Sequence, residues 1–189
     1  NATAKDMQRF KAQAMKAGAA TKFSALEAAE AQTELAKGGL TIKQIMSGGL
    51  KSALALAAAG ELELGEAAAV TVNSMKLFGI EGKKSMKVAD ALATAANRTT
   101  ADVADFGLAL KQGGSAAKLA GASFNDTIIA LEALAEAGIK GSDAGTSLKA
   151  FLLNIATPSK QAAEAMDELG FSIFDAQHNL KSMPAISES

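Results

Sequence analysis

The tightest constraint on this chain is a recurring punctuation: an amphipathic run, a glycine, one apolar residue, then a polar residue able to open the next run. It occurs at Gly39-Leu40-Thr41, Gly79-Ile80-Glu81, Gly121-Ala122-Ser123, Gly138-Ile139-Lys140 and Gly170-Phe171-Ser172. A glycine just past the last helical residue takes the left-handed conformation without a Cβ penalty, and the apolar residue after it folds back onto the helix it has left. Helix starts are marked as clearly. Ser24 with Glu27 and Thr41 with Gln44 have capping-box spacing, in which each side chain satisfies an orphan amide of the first turn. Glu61, Glu63, Asp102 and Asp105 stand where they complement the positive end of a helix.

Between these marks the apolar spacing is helical. One stripe runs Leu64, Ala68, Val72, Met75, Phe78, and others run Met86, Ala89, Leu92, Ala96 and Val103, Phe106, Leu110. Three more lie toward the C-terminus: Phe124, Ile128, Leu131, Leu134; Leu148, Phe151, Leu152, Ile155; and Ala162, Ala165, Met166, Leu169. Met7, Phe10 and Ala14 give a weaker N-terminal helix. The methionines at 7, 15, 46, 75 and 86 read as flexible core filler. One segment breaks the pattern: Phe171 to Phe174 alternates, Asp175 to Asn179 is polar, and Leu180 resumes, which predicts a small β-hairpin. The expected fold class is all-α: an alanine-rich multi-helix domain with short Gly-capped turns and that C-terminal β-hairpin.

Hydrophobic residues make up 49% and charged residues 21% of the 189, a globular balance. Much of the apolar share is alanine and only 4% is aromatic, so each helix contact should be close and individually weak. Modest stability is expected, with association adding to it. The formal charge is −1, with 19 basic and 20 acidic residues spread along the chain, so no basic footprint for nucleic acid or a membrane surface is present. Absence of cysteine removes disulfides, thiolate zinc sites and thiol nucleophiles. The longest apolar stretch, Ala53 to Gly60, is far short of the roughly 20 residues that span a bilayer. No secretory leader is read in it, and synthesis in the cytoplasm is expected.

Candidate chemistry is sparse. His178, the sole histidine, lies in a polar turn and has no cysteine or second histidine with which to hold zinc. Gly138 to Ser147 superficially resembles a phosphate loop, but a helix precedes it and Thr146 stands where that motif needs lysine. It reads as an inter-helix turn, with Gly138 and Gly141 in the turn, Ser142 or Asp143 as cap, and Ala144 and Gly145 small so that two helices approach closely. No acid pair in an apolar pocket supports glycoside hydrolysis. No catalytic residue, cofactor or metal site is expected, and the residues singled out are structural: Ser24, Thr41, Gly79, Gly138, Gly141, Ser142, Gly145 and Gly170.

An ordered series of segments resembles the conserved core region of phage tail tape measure proteins. It begins with Phe23 to Glu30 and Leu35 to Leu40, and continues with Leu54 to Gly60, Phe78-Gly79-Ile80 and Val88 to Leu92. Leu134 to Lys149 is the most specific part, resembling the family's near-signature turn and following helix, and Pro158, Leu169-Gly170-Phe171 and Asp175 continue it. Two departures touch turn detail only: Lys149, where arginine is common, and Gln177-His178-Asn179, where a glycine-containing turn is usual. The resemblance covers residues 20 to 186. It implies a domain over 21–186, part of a much longer protein; the residues before it, 1–20, read as an N-terminal helix, either detached or an edge of the fragment. By that resemblance the chain is a non-enzymatic component of the virion tail, part of a protein that governs tail length and assists genome ejection. The implied partners are tail tube, tail tip or baseplate, tail assembly chaperones and other copies of itself, with no direct contact to nucleic acid and no membrane segment. The competing readings are a generic helical interaction scaffold and, behind it, a tail-associated peptidoglycan hydrolase. The irregular spacing of the glycine marks argues against a fixed-period solenoid.

Overall fold

A computed structural model describes residues 3–156 and 159–168. Every regular element among them is a helix: α1 (Ala4–Ala20), α2 (Ala25–Lys37), the single turn α3 (Ile42–Gln44), α4 (Leu50–Ala59), α5 (Leu64–Phe78), α6 (Ser85–Arg98), α7 (Val103–Leu119), α8 (Phe124–Glu136), α9 (Gly141–Ala156) and α10 (Lys160–Glu168). The β-hairpin expected after Gly170 lies outside the described residues, as do Gly170 and His178 themselves. The fold is all-α.

The helix ends follow backbone accounting. Gly39, Gly121 and Gly138 have φ of 98°, 84° and 84°, and the next residue's amide reaches back over a full turn: Leu40 to the Leu35 carbonyl, Ala122 to Ala117, Ile139 to Leu134. Gly79 closes α5 with φ 67° and the Ile80 amide on the Met75 carbonyl. A fifth end is built likewise without glycine. Leu62 donates to the Ala57 carbonyl while Glu61 takes φ 53°, the one left-handed non-glycine position among the described residues. At the starts, Ser24 Oγ accepts from the Glu27 amide at 3.2 Å and the Glu27 carboxylate accepts from the Ser24 amide at 2.7 Å. Thr41 and Gln44 form the same box, and so do Thr3–Asp6, Asp102–Asp105 and Ser123–Asp126, with aspartate as the returning acid. Glu63 precedes α5 without a side-chain cap.

Cα packing divides the chain into two compact units, Asn1–Thr94 and Ala95–Ser189, with the division falling within α6. In the first, α2 packs on α5, α4 on α5, and α1 on α2. Its interior is Leu35, Ile45, Leu50, Leu56 and Leu64, surrounded by fully buried Ala28, Ala31, Ala53, Ala57, Ala67 and Ala68. Helix α1 lies along α2: buried Gln32 donates to the Phe10 carbonyl at 3.2 Å and to Gln13 Oε1 at 2.8 Å. Between α3 and α4 the chain makes a wide, kinked turn over Ile45–Gly49, in which Gly48 has φ 177° and ψ −21°. Such a turn breaks the i→i−4 ladder, and side chains pick up carbonyls around it: Gln13 Nε2 donates to Met46 at 3.3 Å and Ser52 Oγ to Gly48 at 2.8 Å. In the second unit α7 packs on α9 and α8 contacts both, burying Val103, Phe106, Leu110, Leu131, Leu148 and Leu152.

Two expectations are corrected. Met7 and Met15 are 57% and 58% exposed, so they are not core filler, while Met75 is buried and Met46 and Met86 are half-buried. Phe151 is 55% exposed, because the buried row of α9 runs Ala144, Leu148, Leu152 at four-residue spacing and leaves Phe151 off it.

The helix ends generate two expected outcomes. An L-residue in the left-handed region is disfavoured by roughly 1–2 kcal/mol, partly offset by the greater unfolded-state entropy of glycine. Glu61→Gly is therefore expected to stabilise the fold by about 0.5–1 kcal/mol in urea titration, and a lower midpoint would contradict the conformation assigned to Glu61. The Asp6 and Glu27 carboxyls are held below the usual carboxylate range, Asp6 chiefly by the Thr3 hydroxyl and Glu27 chiefly by the Ser24 amide. A carboxylate with a depressed folded pKa stabilises above its unfolded value and loses that contribution as pH falls through the folded one. Glu27→Ala is thus expected to lower the thermal midpoint at neutral pH and to lower it by less below about pH 4, where the carboxyl of the parent is protonated.

Candidate functional site

The turn from Gly138 to Ser147 sits at the closest helix contact of the second unit. Lys140 Nζ donates to the Thr100 carbonyl at 2.9 Å, and Thr100 Oγ1 donates to the Ala135 carbonyl at 3.3 Å, tying the end of α8 to the segment before α7. Gly141 begins α9 with φ 57°, and Ser142 and Asp143 lie exposed in its first turn. The space beneath this turn, between Phe106, Ala109 and Ala144, is about 10 Å³. That holds one water at most and no phosphate group.

What the turn delivers is a backbone-to-backbone crossing. A Cβ placed on Gly145 would stand 2.3 Å from the Ala109 carbonyl oxygen, and one on Gly113 would stand 2.5 Å from the Gly145 carbonyl oxygen. Ala109, Gly113 and Ala117 succeed one another at four-residue spacing on α7, and Ala144, Leu148 and Leu152 do so on α9, all buried. Where Ala109 and Gly113 meet Gly145, the two helices touch through their main chains. The sequence pointed to Ala144 and Gly145; the facing row Ala109-Gly113-Ala117 carried no local signal, since a small residue inside a helix acquires meaning only from its partner.

A second shaped surface belongs to the first unit. An open groove of about 610 Å³ runs between α1 and α2, with Met7, Phe10, Met15, Leu26 and Ala29 among its walls. Leu26 is 69% exposed. Lys11 lies on the α1 side and the Gln32 amide closes the floor. The groove carries no catalytic set. Among the described residues no group of three or more His, Cys, Asp or Glu could hold a metal ion, and no helix is long and apolar enough to cross a membrane. The carboxyls shifted from their ordinary range, Asp6, Glu27 and Glu81, are all at the surface, the last held down chiefly by its hydrogen bond to Lys83. Of the residues singled out from sequence, Ser24 and Thr41 cap α2 and α3, Gly79 and Gly138 end α5 and α8, and Gly141, Ser142 and Gly145 form the start of α9.

Helices joined by Schellman-type ends and packed through alanine and glycine define an all-helical protein class, and among the described residues the first unit presents an apolar groove. The chain belongs to the phage-related minor tail protein family, whose model matches residues 11–189. It is 38% identical over 179 residues to the tape measure protein of Pneumococcus phage Dp-1, a match covering 95% of this chain and 16% of that protein. It is 32% identical over 176 residues to the probable tape measure protein of Escherichia phage P2, covering 93% of this chain and 22% of that one. The chain thus spans less than a quarter of the length of either relative. No solved structure matches it.

The α7–α9 crossing gives a sharp mutational contrast. Gly145→Ala drives a methyl into the Ala109 carbonyl, where backbone lies on both sides, and is expected to cost about 2–3 kcal/mol. Gly65→Ala, at a site on α5 with nothing within 4 Å, is expected to be neutral or stabilising by up to about 1 kcal/mol. Comparable urea midpoints for the two variants would refute the close crossing.

Proposed function

We propose that this chain is a folded module of a phage tail tape measure protein, an assembly component of the virion tail and not the part whose length sets the tail's length. The observation that carries this reading is its similarity over almost its whole length to two proteins named as tape measures, while it makes up only 16% and 22% of them. On this reading residues 21–186 are the body of the module, and its work is to present fixed surfaces. The partners are tail tube, tail tip or baseplate, tail assembly chaperones and further copies of the same protein. Synthesis takes place in the host cytoplasm, before incorporation into the tail. Measuring, and the passage that accompanies genome ejection, belong to the long helical remainder. The capped ends at Ser24, Thr41, Gly79 and Gly138 and the crossing at Gly141, Ser142 and Gly145 serve to hold the module's shape, and no enzymatic step is assigned to it.

The physical support is one of reach. A continuous helix advances about 1.5 Å per residue, so 94 residues laid end to end would measure about 140 Å. The same residues folded into a unit like Asn1–Thr94 have a radius of gyration of about 12 Å. A compact unit is a poor ruler and a good docking piece. Deleting residues 21–186 from the parent gene is therefore expected to abolish or misdirect tail initiation. Electron micrographs showing normal numbers of tails, shortened by about 1.5 Å for each residue removed, would make the segment part of the ruler and overturn the assignment.

A further inference from the structure

The helix starts of this chain keep a common step. Helices α2, α5, α7 and α9 begin at Ala25, Leu64, Val103 and Gly141, steps of 39, 39 and 38 residues. The helices before them begin at Ala4, Ile42, Gly82 (a 3-10 turn running into α6) and Phe124, steps of 38, 40 and 42. These starts divide the chain into four helix pairs: α1–α2, α3/α4–α5, α6–α7 and α8–α9. The joint between successive pairs is a left-handed glycine each time, at Gly39, Gly79 and Gly121. The glycine marks look aperiodic along the sequence because the joint inside a pair varies. Glu61 and Gly138 are left-handed there, whereas Thr21 and Thr99 close their helices through a hydroxyl. Thr21 Oγ1 donates to the Ala17 carbonyl at 2.8 Å and Thr99 Oγ1 to the Ala95 carbonyl at 3.0 Å.

The packing repeats with the same step, like helix on like. Gln13 of α1 donates to the Met46 carbonyl in the turn between α3 and α4, and α2 packs on α5. Ser52 of α4 donates to Ser85 of α6 at 2.8 Å, and α7 packs on α9. Helical self-similarity at a step of roughly 20–50 residues marks an array in which each unit buries its faces against its neighbours.

The pairs differ at the groove. Met7, fourth residue of α1, is 57% exposed, whereas Ile45, Ser85 and Thr127 are buried at the equivalent places. Lys11, eighth in α1, is exposed where Gly49, Ala89 and Leu131 are buried. Ala36, twelfth in α2, is exposed where Met75, Gly114 and Leu152 are buried. Met7, Lys11 and Ala36 all line the α1–α2 groove, so the groove is the side that the later pairs have covered. The outermost unit of an array carries a polar outer face. This one presents Met7, Phe10, Met15 and Leu26 instead. The fourth pair shows the converse: Phe151, eleventh in α9, is exposed where Leu35, Ser74 and Gly113 are buried.

We propose that the domain is a tandem array of one helix-pair unit of about 40 residues, and that the α1–α2 groove is a stacking face for a further such pair, directly upstream of Asn1 in the parent protein. The array concerns this chain alone. The upstream occupant rests on the reading of the chain as a segment of a longer protein, so the two parts fail separately. Removing residues 41–80, one whole pair, joins Leu40 to Glu81 and keeps first and second helices alternating. That variant is expected to unfold cooperatively, with helical ellipticity per residue within about a tenth of that of the unmodified chain. Removing residues 41–62 takes out one helix, sets a second helix after a second helix, and should abolish the cooperative transition. Loss of folding in the whole-pair variant, or equal behaviour of the two, would overturn the array.

The groove is tested without deletion or substitution. Hydrogen peroxide should oxidise exposed Met7 and Met15 faster than buried Met75, as mass spectrometry of peptides would read. Extending the chain upstream by about 40 residues of the parent protein should slow oxidation of Met7 and Met15 by about tenfold in a monomer, and an equal downstream extension should leave it unchanged. Unchanged oxidation after the upstream extension, protection by the downstream one alone, or a parent with no helix pair upstream would overturn the assignment of the groove.

Discussion

The distance between helix backbones governs this structure. Where large side chains fill a core, helices stand apart and burial of each side chain contributes about 1.5–3 kcal/mol. Here the interior of each unit is lined with alanine, and at the α7–α9 crossing Gly113 and Gly145 remove even the methyl group. Main-chain atoms then meet directly, and many short-range dispersion contacts replace a few bulky insertions. Such a contact is unforgiving of added volume, because a carbonyl on a rigid helix cannot step aside as a side-chain tip can. It makes the geometry sharply defined even though the buried area per residue is small.

A core of that kind leaves little surplus to absorb frayed ends, and most helix ends carry assigned hydrogen bonds, the starts of α4 and α5 being without a side-chain cap. Five helices open with a reciprocal box, at Thr3, Ser24, Thr41, Asp102 and Ser123. Helices α2, α4, α5, α7 and α8 each close with an amide returned over a turn. Among the described residues no buried side-chain nitrogen or oxygen lacks a hydrogen-bond partner. Thr71 and Thr127, both buried within helices, donate to the carbonyl four residues back, at 2.8 Å each. The few polar groups inside are thus held locally, and those that reach farther, Gln32 to Phe10 and Ser52 to Ser85, fix how separate elements meet.

How much of this could be read from the residues depends on how local each cause is. Glycine-ended helices and the Ser24 and Thr41 starts are legible because a left-handed glycine and a three-residue cap need no knowledge of the rest of the chain. Glu61 was not, for it performs a glycine's task without a glycine's signature, and the Asp6, Asp105 and Asp126 boxes were missed because aspartate is the less usual returning acid. Exposure of Met7, Met15 and Phe151 is decided by which helix lies opposite, which periodicity does not specify. The same limit applies to the crossing: Gly145 stood out beside a turn, whereas Gly113, deep in a long helix, looked like a mere weakness in α7. For function, composition could narrow the chemistry but not the task, and the ordered resemblance to a family supplied what spacing alone did not.

The kink at Gly48 has a consequence for the path of the chain. Gly48 takes φ 177° and ψ −21°, outside the helical range, so the backbone changes direction within Ile45–Gly49 and α4 starts on a heading of its own. From there Leu50, Ala53, Leu56 and Ala57 turn inward together. The segment is an elbow, where the torsions of one residue aim the ten-residue helix that follows.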